Sequence, residues 1–315
     1  MKTTLVLDSS QISIFLECNQ LWYNQYILHL QPNFIEPKSS EPMNAGTYGH
    51  HLLDIYYAQR RRGLSLNDAA ATAFQYDPDK ETCQCGCNYR DHKRIELLNI
   101  EECQHCKINK RCIHFVPRPF ELDLSTRQAV QTRVREYFFT YQHNDFQSIA
   151  EEVGFSEIIF EDDSNLFVLE GRIDLIATLQ GLDCIVDHKF QMRQHQLYQK
   201  SVQFRNYALV CKKLLLIINY IRLHKAVGKE TLVRELVNFT VPELLAWKQK
   251  LIGIFFRVKS ALTLAPALEQ NSSACPGRFN YKCSYIALCD EPNPEVALRK
   301  QQQLYRINEN PWRPW

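Results

Sequence analysis

The sequence predicts an α/β fold whose strands are covered by helices on both sides, and three observations lead there. Residues 171–189 read Gly-Arg-Ile-Asp-Leu-Ile-Ala-Thr-Leu-Gln-Gly-Leu-Asp-Cys-Ile-Val-Asp-His-Lys. Two β-branched, apolar runs thus flank Gln180-Gly181, the pattern of a hairpin with glycine at the positive φ of the turn. Those runs carry apolar side chains on both faces (Ile173, Leu175, Ile176, Ile185, Val186), as central, covered strands do. Segments of helical period lie before and after them.

In chain order, Gln11 to Leu30 carries aromatics and aliphatics at helical spacing and ends near Gln31-Pro32-Asn33. Glu36 to Asn44, with two prolines and two serines, reads as a loop. Gly46 to about Arg62 is a second helix, which sets His50 and Asp54 one turn apart on one face. Ser65 caps another helix through Leu66-Asn67-Asp68, and Leu122 to His143 is helical. Gly154–Glu161, Asn165–Thr178 and Asp183–Phe190 are strands. His195 to about Leu216 is a helix and Ile217–Leu223 a further strand. Val241–Leu264 is a long helix entered through Pro242-Glu243. The tail after Asp290 reads as peripheral.

Composition sets limits. The chain has 315 residues, 45% of them hydrophobic, enough for one large domain or two. A net charge of +2 gives no global basic signature, so nucleic-acid contact must come from a local patch. No run of 18 or more apolar residues argues for a membrane span, and the N-terminus is too short and polar for a secretory signal. Twelve cysteines in a chain of this size without such a signal read as metal or cluster ligands in a cytoplasmic protein rather than as disulfides.

The hairpin register brings charges together. With an even loop at Gln180-Gly181, paired positions sum to 361, so Asp174 faces Asp187, and Lys189 shares the face of Asp187. Two carboxylates and an ammonium on covered strands suit divalent-metal binding and phosphodiester hydrolysis. A surface hairpin with solvated charges is the bland alternative.

The pattern resembles the PD-(D/E)XK nuclease core, with Asp174 as the first acid and Asp187-His188-Lys189 as the D-x-K half. Gly46-Thr47-Tyr48-Gly49-His50-His51-Leu52-Leu53-Asp54 is similar to the G-t-x-x-H-x-x-L-E segment of RecB-like nucleases. Gln203-Phe204-Arg205-Asn206-Tyr207 is similar to their Q-x-x-x-Y helix, and all segments stand in the family's order. Ser13 to Tyr23 resembles their opening helix, and Cys275, Cys283 and Cys289 resemble the cysteine tail of the iron–sulfur subgroup.

This resemblance implies a restriction-endonuclease-like core with a central mixed sheet flanked by helices. Residues 1–79 would be its N-terminal helical part, 80–118 a cysteine-rich metal-binding insertion, 119–264 the nuclease core, and 265–315 a segment stapled to the N-terminal helix. It also implies that His50, Asp174, Asp187 and the main-chain carbonyl of His188 hold Mn²⁺ or Mg²⁺, with Lys189 positioning the nucleophile and Gln203 and Tyr207 supporting the site. Glu157 fits the family's acidic position on the strand before the hairpin.

Cys18 would join Cys275, Cys283 and Cys289 around a [4Fe–4S] cluster, with Zn²⁺ as the competing ion. The gaps in Cys275-x₇-Cys283-x₅-Cys289 depart from the common C-x₂-C-x₅-C. A second group, Cys83, Cys85, Cys87, Cys103, Cys106 and Cys112, interleaved with His92 and followed by His114, suits Zn²⁺ or a second cluster. Cys184 and Cys211 read as core. The implied activity is a deoxyribonuclease, an exonuclease on DNA ends or single strands in recombination, repair or DNA processing, in a bacterium or, if phage-encoded, its host. A helicase or recombinase is the implied kind of protein partner. The alternatives are a noncatalytic DNA-end-binding subunit and a CRISPR adaptation nuclease.

Overall fold

The computed structural model describes residues 2–33, 41–78, 122–190, 200–223, 230–264, 270–275 and 282–308. The cysteines from Cys83 to Cys112 lie outside these residues.

The chain opens with a strand that the sequence reading did not anticipate, β1 (Thr3–Asp8). Its last residue caps α1 (Ser9–Glu17), the Asp8 carboxylate accepting from the Gln11 amide at 2.8 Å. The single helix expected over Gln11–Leu30 is broken. Cys18 is extended (φ −160°, ψ 120°), followed by α2 (Asn19–Trp22) and a π-helical turn, Tyr23–Ile27. The Cys18 amide still donates to the Ile14 carbonyl and its carbonyl accepts from Trp22, so the break keeps its backbone hydrogen bonds.

β2 (Leu30–Pro32) pairs antiparallel with β8 (Tyr305–Ile307). The tail is therefore pinned to the start of the chain rather than peripheral, and the Tyr285 hydroxyl adds a 2.6 Å bond to the Leu30 carbonyl. α3 (Glu41–Arg61), α4 (Leu66–Phe74) and α5 (Leu124–Thr140) follow; Ser65 caps α4 as expected and Asp123 caps α5.

β3 (Gln147–Glu161), β4 (Asn165–Leu179), β5 (Leu182–Phe190), β6 (Leu215–Ile221) and β7 (Leu232–Asn238) complete a six-stranded mixed sheet with β1. Between its strands lie α6 (Val202–Cys211), which Lys212 ends in a left-handed conformation, and after them α7 (Val241–Leu264). The hairpin register is the expected one from Leu179–Leu182 to Leu175–Val186, but the ladder ends there, so Asp174 and Asp187 are not ladder partners as expected: the strands part just before them. Both Gln180 and Gly181 take positive φ (52° and 80°), where the sequence reading asked this of glycine alone.

The topology sets up the site. One edge of β4 is paired to β3 along nearly its whole length. The other edge is divided: β1 runs parallel to it from Asn165 to Glu170, and β5 antiparallel from Leu175 to Leu179. Among the described residues, no strand partners Gly171–Asp174 on that second edge. α3, α4 and α5 bury Leu52, Tyr56 and Val134 against Leu175, Val186 and Ile217 on one face. α6 buries Phe204 and Ala208 against Ile185, Leu216 and Ile218 on the other, while α1 and α7 cover Phe167 and Leu169. This is a mixed sheet flanked by helices, as a restriction-endonuclease-like core requires. Among the described residues no helix is long and apolar enough to cross a membrane.

Candidate active site

Where β1 and β5 part, β4 loses ladder partners, and side chains answer instead. The Tyr207 hydroxyl donates to the Arg172 carbonyl at 2.5 Å, and the His188 amide donates to Asp174 Oδ2 at 2.8 Å. Asp174 Oδ2 is also 3.4 Å from His50 Nδ1. On the adjacent strand, Lys189 Nζ lies 2.7 Å from Asp187 Oδ2. Gln203 Nε2 on α6 donates to the Tyr207 hydroxyl (2.7 Å) and to Asp187 Oδ1 (3.4 Å). Six of the expected residues, His50, Asp174, Asp187, Lys189, Gln203 and Tyr207, are thus brought together; His50, Asp174, Gln203 and Tyr207 line a cavity of about 590 Å³ with Ser9 and Ser13 of α1, while Asp187 is buried behind it.

The seventh, His188, contributes backbone only. Its ring points to the opposite face, where Nδ1 meets Asn219 Nδ2 at 3.1 Å and the ring stacks on Tyr57. Two glycines allow the close packing that holds the site. A Cβ on Gly49 would meet the tip of the Phe190 ring at 2.2 Å, so glycine lets Phe190, at the end of β5, approach α3 this closely beside His50. A Cβ on Gly171 would meet Phe155 at 2.5 Å, and that ring in turn packs edge-on against Tyr207.

Burial dominates the electrostatics. It pushes the Asp187 carboxyl up to about 6, against the opposing pull of the Lys189 ammonium. Asp174 is also raised by burial, with Lys189 and the His188 amide opposing. Burial, helped by Lys189, lowers His50 to about 4, so its imidazole is neutral and able to ligate. Burial and the nearby Asp187 and Asp174 charges raise Tyr207 well above the usual phenol range, keeping it a donor.

One residue escaped the sequence reading. Glu152 takes a left-handed conformation (φ 48°) within β3, and its carboxylate, with donor atoms of His50 and Asp174, forms a set lying within 4.8 Å of one another. Its Oε2 is 3.0 Å from Arg172 Nε. Glu157, the acid that the resemblance suggested on this strand, is instead exposed and opposite Leu169, away from the site. The strand was expected to begin at Gly154, and the Glu151-Glu152 doublet carried no periodic signal, because the left-handed residue interrupts side-chain alternation.

Known proteins bear on this arrangement. The family model described as "PD-(D/E)XK nuclease superfamily" matches residues 9–290. The chain belongs to the PD-(D/E)XK nuclease superfamily. Among solved structures, the one titled "Crystal structure of SSO0001" is similar over 52% of this chain and 70% of that one, at 12% identity and a TM-score of 0.31. No curated protein sequence matches the chain.

Nucleases of this superfamily act with divalent metals, and the donor set fits one. A neutral imidazole and two carboxylates are ligands that Mn²⁺ and Mg²⁺ accept. Octahedral bonds of about 2.1 Å put donor atoms roughly 3.0 to 4.2 Å apart, within the 4.8 Å spread of His50, Glu152 and Asp174. Asp187 stands outside that trio, engaged with Lys189 and Gln203.

The nuclease has a second convergence 254 residues long in sequence, where Asn271 donates to the Glu17 carbonyl. Cys18, Cys275, Cys283 and Cys289 line one small void there. The Cys283 amide donates to the Cys275 carbonyl at 2.9 Å, and burial together with the neighbouring sulfurs raises the Cys289 thiol to about 11. All four are free thiols, and no three of their sulfurs lie within 4.8 Å of one another. Cys184 is buried in the core and Cys211 is half-buried at the end of α6.

Proposed function

We propose that the protein is a divalent-metal-dependent deoxyribonuclease of the RecB-like type, acting on DNA ends or single strands. The observation that carries this reading is the gathering of His50, Asp174, Asp187 and Lys189 at the gap in the β4 edge, beside an open cavity. His50, Asp174, Asp187 and the His188 carbonyl would hold Mn²⁺ or Mg²⁺, and the position of Glu152 supports adding it to them. Such a cation supplies an acidified water and charge neutralisation at the scissile phosphate.

The chain's own groups do the rest. Lys189, held at 2.7 Å by Asp187, would supply the positive charge that positions the attacking water and offsets the developing phosphorane charge. Gln203 and Tyr207 hold Asp187 and the β4 backbone in register, and Ser9, whose Oγ accepts from Asn206, presents its hydroxyl at the cavity wall for phosphate contact. Asp174→Ala and Lys189→Ala should each abolish Mn²⁺- or Mg²⁺-dependent cleavage of end-labelled DNA with thermal stability largely kept. Cleavage by Lys189→Ala at near wild-type rate sinks this reading. Wild-type DNA binding without any cleavage would instead favour a noncatalytic end-binding subunit.

The four converging cysteines would hold a [4Fe–4S] cluster that staples the C-terminal segment to the break between α1 and α2. The segment 80–118, between the helical part at 1–79 and the nuclease core at 119–264, would be a metal-nucleated insertion.

A further inference from the structure

We propose that Glu152 and Arg172 form an exchange pair, which couples capture of a DNA phosphate to completion of the cation site. The proposal rests on the nuclease reading above and concerns two residues that reading does not otherwise use together.

Three features carry it. Glu152 is left-handed in the middle of a fifteen-residue strand, a state a non-glycine residue holds only when its surroundings impose it. Its neighbours Glu151 and Val153 pair normally with Leu175 and Ile173, so the distortion turns one carboxylate toward the cleft. There it meets His50 and Asp174 within metal-ligand range. The same carboxylate is held by Arg172, 3.0 Å away, so a guanidinium charge stands beside the place a divalent cation would occupy and opposes its entry. Finally, the Arg172 side chain borders open space. It is 43% exposed, it lines the cavity, and it sits on the stretch of β4 without a strand at its second edge.

These features give an order of events without any covalent step. In the DNA-free protein Arg172 neutralises Glu152. An arriving phosphodiester, which a guanidinium can grip through paired N–H bonds, draws Arg172 away. Glu152 is then left to the cation. Metal and DNA therefore bind cooperatively, by the same factor in either direction, and Arg172 hinders metal binding only while DNA is absent.

The test measures Mn²⁺ binding by electron paramagnetic resonance. It uses the unmutated chain and the Lys189→Ala chain, in which turnover is stopped, with and without a single-stranded oligodeoxynucleotide. A methylphosphonate oligomer of the same sequence, which lacks the backbone charge, is the control. The DNA should raise Mn²⁺ affinity by at least about fivefold, the lower end of typical coupling between sites, and the methylphosphonate should not. Arg172→Gln in the Lys189→Ala chain should raise DNA-free affinity by a similar factor and remove the effect of DNA. Glu152→Gln should lower affinity and also remove it. Unchanged or weaker Mn²⁺ binding in Arg172→Gln, or a DNA effect that survives Glu152→Gln, overturns the exchange pair and leaves the nuclease reading intact. Failure of the unmutated chain to bind Mn²⁺ at all overturns both.

Discussion

Gly49→Ala probes how α3 presents His50. The added Cβ would sit 2.2 Å from Phe190 Cζ and 2.4 Å from Cε1, where carbon atoms prefer about 3.5 to 4.0 Å. The ring or the helix must then move by more than about 1 Å. Overpacking of this kind costs about 1–3 kcal/mol, which in a chain of this size lowers Tm by roughly 2–4 °C per kcal/mol. The functional loss should be larger than the stability loss, because the displaced helix carries His50, now 3.4 Å from Asp174. A misplacement of about 1 Å at a reacting centre is worth on the order of 100-fold in rate. The assay pairs Mn²⁺ affinity and cleavage rate with calorimetry for Gly49→Ala, Phe190→Ala and the double variant. Removing the Phe190 ring should restore Mn²⁺ binding to the Gly49→Ala protein, giving a non-additive cycle of about 1–2 kcal/mol. Wild-type Mn²⁺ affinity in Gly49→Ala, or strictly additive effects, would refute the reasoning.

Tyr207→Phe keeps the ring packed on Phe155 but leaves the Arg172 carbonyl without its donor; cleavage should fall while stability drops by about 1–3 kcal/mol, and an unchanged rate at subsaturating DNA reduces α6 to scaffold. Asp187→Asn should stabilise the metal-free protein in a pH-dependent way. Below 3.8 both folded and unfolded chains keep the proton; between 3.8 and about 6 the unfolded chain ionises first, so wild type loses stability as pH rises, and the loss is complete above about 6. Matching Tm–pH curves for the two proteins across that window would contradict the raised pKa. Anaerobically purified protein should be brown, and serine at Cys18, Cys275, Cys283 or Cys289 should bleach it and lower Tm; colourless, zinc-only protein from iron-supplied anaerobic cells removes the cluster.

Much of the centre was legible because it is local. The hairpin fixes the register from Leu179–Leu182 to Leu175–Val186 through a two-residue turn, which leaves Asp174 and Asp187 next in line where the strands part, and alternation along β5 then decides which face Lys189 takes. Helical spacing likewise brings Gln203 and Tyr207 together. What failed was non-local or irregular. β1 is six residues long and gains its identity from parallel pairing with β4, and β7 from the β6 edge. The break at Cys18 interrupts an unbroken apolar periodicity without any proline or glycine to announce it. Glu152 was hidden for the same reason, since a residue with left-handed φ leaves no mark in a period-two pattern.

The site's stiffness comes from the face of the sheet that does no chemistry. His188 and Asn219 are ladder partners on β5 and β6, and their side chains bond to each other at 3.1 Å. Asn219 also donates to the Tyr137 hydroxyl (3.0 Å) and accepts from Arg234 Nε (3.1 Å). Arg234 bonds the same Tyr137 hydroxyl and lies between the rings of Tyr141 and Phe146, at 3.6 and 4.1 Å from their centroids. Charged and polar groups this deep are costly unless paired, and here the pairing is specific to one register of β5 against β6. A slip of one residue would turn His188 toward the cavity and bury Asp187 and Lys189 among Tyr57 and Tyr137. The buried network thus opposes the one strand error that would dismantle the acid–lysine pair, while the undivided β3 edge holds β4 in place as its other edge opens for the site.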